Sequence, residues 1–235
     1  MTHDELASRK AALSEAKRAL LLKRLSGKAA PVETESVIDR QDLTGPQPLS
    51  YTQQRVWFLQ QLFPHSTAYN MSEAWRVSGP LDLNALQNAL NEVARQHAAL
   101  RTTFINVDDQ PAQIIAEKID LRIELTDLSH LSPEGREREL ESLLFDEGNH
   151  AFDLSHGPLM RLSLFRLDQE EHILTYTLHH IITDEWSNDI FWRELNTFYI
   201  QALGESATSP EPPAIQFSDY AVWQRKQTED GACLL

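Results

Sequence analysis

Between His172 and Ala202 the chain changes period, and that change limits what can be built around it. Ile173, Thr175 and Thr177 alternate with Leu174, Tyr176 and Leu178, a period of two that makes a strand. From Asn188 onward Ile190, Phe191, Leu195, Phe198, Tyr199 and Ala202 recur at three and four, the period of a helix with one apolar stripe. The junction is His179-His180-Ile181-Ile182-Thr183-Asp184-Glu185-Trp186-Ser187, which gathers two histidines, an acid and a hydroxyl. Successive strand side chains face opposite ways, so His179 and His180 cannot both enter one site. One is available for chemistry while the other packs. Asp184 is equally well placed to cap the helix.

The rest of the chain supplies further helices and strands around this unit. Ser50 is an N-cap for a helix over Tyr51–Leu62, and a strand over Glu73–Val77 ends at Gly79-Pro80. Asp82 caps a helix that carries Leu86, Leu90, Val93 and His97 on one face, where His97 reads as a packed or capping residue. A strand is expected over Leu100–Ile105, closed by the turn Asn106–Asp109, with extended pieces at Gln113–Ala116 and Asp120–Leu125. Ser132-Pro133 starts a helix running toward Gly148. Leu159–Leu167 and His172–His180 flank a polar turn, a hairpin signal. Ile215–Gln224 is the last patterned piece. About five strands with interspersed helices imply a layered α/β lobe, a mixed sheet covered by helices.

Residues 1–30 form a helical linker or docking segment, with Ser14 as cap, Gly27 as stop and Lys17, Arg18, Lys23 and Arg24 as a basic patch. Residues 31–48, with Pro31, Gly45, Pro46 and Pro48, read as a linker, and the globular part is expected over residues 49–227, followed by an irregular tail over 228–235. A formal net charge of −14 argues against non-specific binding to nucleic acid. No apolar run is long enough to span a bilayer, the basic flanks of Ala19–Leu22 do not suit a signal peptide, and one cysteine, Cys233, fits a reducing cytosol. No glycine-rich phosphate loop is present, and the diverging His179 and His180 lack a third ligand, so no metal site is expected.

Four segments together resemble the condensation domain of nonribosomal peptide synthetases, within the chloramphenicol-acetyltransferase-like superfamily. Ser50-Tyr51-Thr52-Gln53-Gln54-Arg55-Val56-Trp57-Phe58-Leu59 is similar to its opening motif. Gln96-His97-Ala98-Ala99-Leu100-Arg101-Thr102-Thr103-Phe104 resembles Arg-His-Glu-x-Leu-Arg-Thr-x-Phe. The His179–Ser187 cluster resembles His-His-x-x-x-Asp-Gly, and Phe217-Ser218-Asp219-Tyr220-Ala221-Val222-Trp223 resembles Tyr-x-Asp-Phe-Ala-Val-Trp. The four occur in family order and spacing. Three positions depart from the pattern: Glu185 stands where the family has glycine, and Gln96 and Ala98 replace an arginine and a glutamate.

The resemblance implies half of a two-lobed domain, the N-terminal lobe, which is inactive without its second lobe. Its implied reaction joins an acyl or peptidyl thioester on an upstream carrier protein to the amine of an aminoacyl thioester on a downstream one. No cofactor is bound directly, the substrates riding on phosphopantetheine arms of the carriers. By the same resemblance His180 is the catalytic histidine, acting as base or through a hydrogen bond, and His179 packs or orients the loop. Asp184 is implied to pair with an arginine, Arg55 being the candidate. Trp186 lines the tunnel or packs the helix, and Ser187 caps it. Alternatives are a docking or scaffold fragment that meets an upstream synthase subunit through its basic helix, or an acyltransferase using a soluble acyl thioester.

Overall fold

Burial reaches its maximum along one strand, and the molecule is layered about it. The structure, a computed structural model, describes residues 38–229 other than Leu43. The segment with Lys17, Arg18, Lys23 and Arg24 lies outside the described residues, as do Cys233 and the end of the tail.

The elements in order are β1 (Gln47–Pro48), α1 (Tyr51–Leu62), β2 (Asn70–Ser78), α2 (Leu83–Gln96), a 3₁₀ turn (Ala98–Arg101), β3 (Thr102–Val107), β4 (Gln110–Ile115) and β5 (Ile123–Asp127). There follow α3 (Pro133–Asn149), β6 (Met160–Arg166), β7 (Glu171–His179), α4 (Glu185–Ala202) and α5 (Phe217–Glu229). Four strands form a mixed sheet in the order β2-β7-β6-β5. β7 is antiparallel to both neighbours, with Leu164 opposite Leu174 and Met71 opposite Leu178, whereas β5 runs parallel to β6. That parallel pair needs a crossover, which α3 provides.

β7 is buried on both faces from His172 to His179. On one face Leu162, Leu164, Leu174 and Tyr176 join Leu86, Leu90 and Val93 of α2 and Phe191, Leu195 and Phe198 of α4 in the main core. On the other, Phe165 and Ile173 meet Leu140, Leu143 and Leu144 of α3. This is the mixed α/β fold that the period change requires. The caps lie where hydroxyls and acids precede the helical patterns: Asp82 Oδ1 accepts from the amides of Asn84 and Ala85 at 2.9 and 3.0 Å, and Ser132 Oγ accepts from Gly135.

The structure departs from the sequence reading at several points. Strands number seven among the described residues and make two sheets, not one, because β1, β4 and β3 form a separate three-stranded sheet. Gln47 and Pro48, expected in the linker, are paired with Gln113 and Ala112. Pro48 fits there because an edge strand asks no N–H of it, and its carbonyl accepts from Gln113 Nε2 at 2.8 Å. Leu100 and Arg101 lie in a 3₁₀ turn, not in a strand, since Thr102 Oγ1 donates back to the Ala98 carbonyl at 2.8 Å and closes it. The β3–β4 turn is tighter than expected: only Asp108 and Asp109 are central, at φ 50° and 60°, a left-handed pair that aspartate tolerates. The extended piece expected over Asp120–Leu125 is shifted to Ile123–Asp127. At the far end α5 continues through Thr228, into the stretch expected to be irregular.

Candidate functional site

The double-histidine segment begins where β7 leaves the sheet, and the two rings part as alternation demands. His179 is fully buried, with its amide bonded to the Leu159 carbonyl at 3.0 Å. Its Nδ1 accepts from the Ile181 amide at 3.2 Å, so Nε2 carries the proton of the neutral ring. That Nε2–H has no partner among the described residues, and the ring packs edge-on to Phe152 and near Tyr69. Burial, aided by the charge of His180, holds its pKa down at about 4. His179 is a neutral packing residue.

His180 faces the other way and is exposed. Its amide donates to the Tyr69 carbonyl at 2.8 Å, and its Nδ1 lies 2.7 Å from the Thr183 carbonyl. A carbonyl only accepts, so Nδ1 carries a proton and a neutral ring presents Nε2 with a free lone pair. Asp184 caps α4: Oδ1 accepts from the Ser187 amide at 2.8 Å and from its hydroxyl at 2.6 Å. Burial pushes this carboxyl up, but the Ser187 hydroxyl and amide and the charge of His180 outweigh it and leave the group below the usual carboxylate range. Ser187 is therefore committed as a donor to Asp184.

His180, Asp184 and Ser187 line a cavity of about 560 Å³ whose other walls come from far along the chain. α1 contributes Gln53 and Val56, the end of α2 and the 3₁₀ turn after it contribute His97 and Ala98, β3 contributes Thr102, and α5 contributes Phe217 and Tyr220. All four sequence motifs thus meet around one space. Gln53 joins the first to the third: it completes a capping box with Ser50 and its Nε2 donates to the Ile181 carbonyl at 3.4 Å. Among the described residues no lysine or arginine lines the cavity. No group of three His, Cys, Asp or Glu side chains is placed to share an ion among them either.

Two expected members stand elsewhere. Arg55 is exposed beside Tyr51, Phe58 and Pro111, and forms no ion pair with Asp184. The reason is helical phase: Gln53, Val56 and Gln60 form the buried face of α1, and Arg55, two residues from Gln53, points about 200° away. The Asp184 carboxylate is met by Ser187 instead. Trp186 is 80% exposed and neither lines the cavity nor packs the helix.

Four residues, His97, Glu194, Gln216 and Asp219, were not read as site residues from the sequence. His97 lines the cavity, and its Nε2 is 2.7 Å from Oε2 of the buried Glu194 on α4. Gln216 bridges the residues on either side of His97, accepting from the Ala98 amide at 2.8 Å and donating to the Gln96 carbonyl at 3.0 Å. Its own amide donates to Asp219, which is fully buried and also accepts from Gln41. Glu194 did carry a signal: it falls in the apolar stripe of α4 beside Phe191, Leu195 and Phe198, where an acid needs a partner.

The chain is 39% identical over 182 residues to chondramide synthase cmdD of Chondromyces crocatus, covering 77% of this chain and 5% of that one. It is 36% identical over 227 residues to phosphinothricin tripeptide synthetase PhsC of Streptomyces viridochromogenes, covering 97% and 21%. Among solved structures, a complex of the X-domain and OxyB from teicoplanin biosynthesis matches with a TM-score of 0.73 and 31% identity, over 84% of this chain and 42% of that chain. The chain therefore spans a small part of these synthetases and under half of the matched X-domain chain. The family model for the condensation domain matches residues 44–232, which takes in the fold and all four cavity walls, and the chain belongs to that family.

Proposed function

We propose that this lobe supplies the catalytic histidine of an amide-forming condensation domain. The observation that carries the reading is His180 Nε2, left as a free acceptor at a cavity where all four motifs converge. The substrates are an acyl or peptidyl thioester from an upstream carrier protein and an aminoacyl thioester from a downstream one, each on a phosphopantetheine arm. The amine nitrogen attacks the thioester carbon, a C–N bond forms, the C–S bond breaks and the upstream carrier departs as a thiolate, which takes up the proton that His180 removes from the nitrogen. A neutral His180 accepts rather than donates at Nε2, so its role is toward the amine: it takes an N–H hydrogen bond and then a proton as the nitrogen becomes positive. Thr183 holds the ring in the required tautomer, while Asp184 holds the turn by capping α4. The second lobe closes the cavity and excludes water, which strengthens each of these interactions.

The test mixes acyl-loaded and aminoacyl-loaded carrier proteins with this chain, with and without a separately expressed second lobe, and follows amide product by intact mass. Product that requires both the second lobe and His180 is expected; product undiminished by His180→Ala would overturn the assignment. A second reading, a docking module, is favoured by one finding, the match to an X-domain solved in complex with OxyB. It predicts carrier or enzyme binding without turnover in either mixture.

A further inference from the structure

His97 and Glu194 form a built pair that the proposed chemistry leaves unused. Glu194 is 4% exposed on α4, and its only partner among the described residues is His97 Nε2 at 2.7 Å. An ionised carboxylate only accepts, so Nε2 carries the proton, and in the neutral ring Nδ1 keeps its lone pair. No hydrogen bond among the described residues engages that Nδ1, and the His97 side chain retains 21% of its exposure where it lines the His180 cavity. The imidazole is held firmly. The His97 amide donates to the Val93 carbonyl at 3.1 Å, and Gln216 grips the backbone on both sides of it. Gln216 is fixed in turn by Asp219.

The charge of the surroundings has one sign. Asp184 lines the cavity, Glu194 stands behind His97, and no lysine or arginine among the described residues opposes them. Such walls attract a cation that carries N–H donors and repel a carboxylate.

We propose that the His97–Glu194 pair is a specificity-determining site that holds the ammonium group of an amino acid carried on a pantetheine arm. The inference rests on the functional reading above, since it places the pair in the cavity that His180 serves. The ammonium donates one N–H to His97 Nδ1, with the Glu194 charge behind the ring, until it passes one proton to solvent water and the free amine can attack.

The test compares amide-linked alanyl-pantetheine with propionyl-pantetheine, which differs at that end by lacking the ammonium, and with succinyl-pantetheine, which ends in a carboxylate. Binding to the full chain is followed by ¹⁵N resonances of the histidine rings. Alanyl-pantetheine is expected to bind about tenfold more tightly than propionyl-pantetheine, the worth of one hydrogen bond to a charged group, and to shift His97 as well as His180. Succinyl-pantetheine is expected to bind most weakly. Glu194→Gln, which keeps an acceptor and removes the charge, should reduce the ammonium preference at least threefold. The double variant His97→Phe with Glu194→Leu, which leaves no uncompensated buried charge, should abolish it. If His180 shifts with every probe but the preference is absent, or survives both variants, this inference falls and the His180 cavity stands. If no probe shifts His180, the reading of the cavity fails, and this inference with it.

Discussion

His179 and His180 are adjacent in the chain, yet what each ring nitrogen meets gives them opposite chemistry and two separate predictions. For His179 the pH dependence follows from burial, which holds the group at about 4 against 6.5 for a free imidazole. Between those values the unfolded chain binds a proton that the folded chain does not. The stability contribution is therefore complete above pH 6.5, falls as pH drops toward 4, and declines no further below that. The loss is on the order of 3 kcal/mol. Urea unfolding at pH 4.5 and 7.5 should show it, and His179→Asn, which keeps an acceptor for the Ile181 amide, should flatten the slope. A slope unchanged by that variant would show that other groups cause the acid sensitivity. The second prediction concerns Asp184, whose structural work is the Ser187 cap. Asp184→Ala should cost about 1 kcal/mol of thermal stability, the ordinary value of an N-cap, rather than the several kcal/mol expected from breaking a buried ion pair. The Arg55 pairing failed because sequence resemblance carries residue type but not helical phase.

At the level of elements, what the sequence revealed depended on whether a feature repeats. The helices α1, α2, α3 and α4 are legible because caps and apolar stripes recur along them, and the β6–β7 hairpin because a polar turn divides two strand patterns. β1 is two residues long and holds a proline, so no period exists to be read. Gln216 is silent for another reason. A side-chain amide has no characteristic spacing, and its meaning lies in two backbone groups about 120 positions earlier. That contact makes an element-scale prediction. Gln216→Ala leaves the Ala98 amide and the Gln96 carbonyl unpaired and should cost about 2 kcal/mol. Hydrogen exchange at the Ala98 amide should accelerate, while amides in β7 keep their protection. Unchanged exchange at Ala98 would mean that the clamp does not hold that segment.

Across the whole molecule, one strand couples the two helical layers. Leu174 of β7 packs in the main core under α4, and its neighbour Ile173 packs under α3. Leu174→Ala should cost about 3 kcal/mol, and circular dichroism and tryptophan fluorescence should still report one shared transition. Two separated transitions would show that the layers unfold independently. The layered class was legible from the period change. The division into two sheets was not, because strand pairing is a relation between distant segments that no local pattern records.

The position of His180 one residue beyond the most buried strand carries a consequence for how such a lobe can be altered. The His180 ring is anchored at the end of the most buried strand, whereas the surrounding walls come largely from helix ends and from the segment leading into α5. Diversification among relatives, or deliberate engineering, can therefore treat the proposed catalytic point as a fixed spindle and the walls as exchangeable jaws. Replacements at Ile215 or Phe217 alter the shape of the grip, while the spindle keeps its alignment.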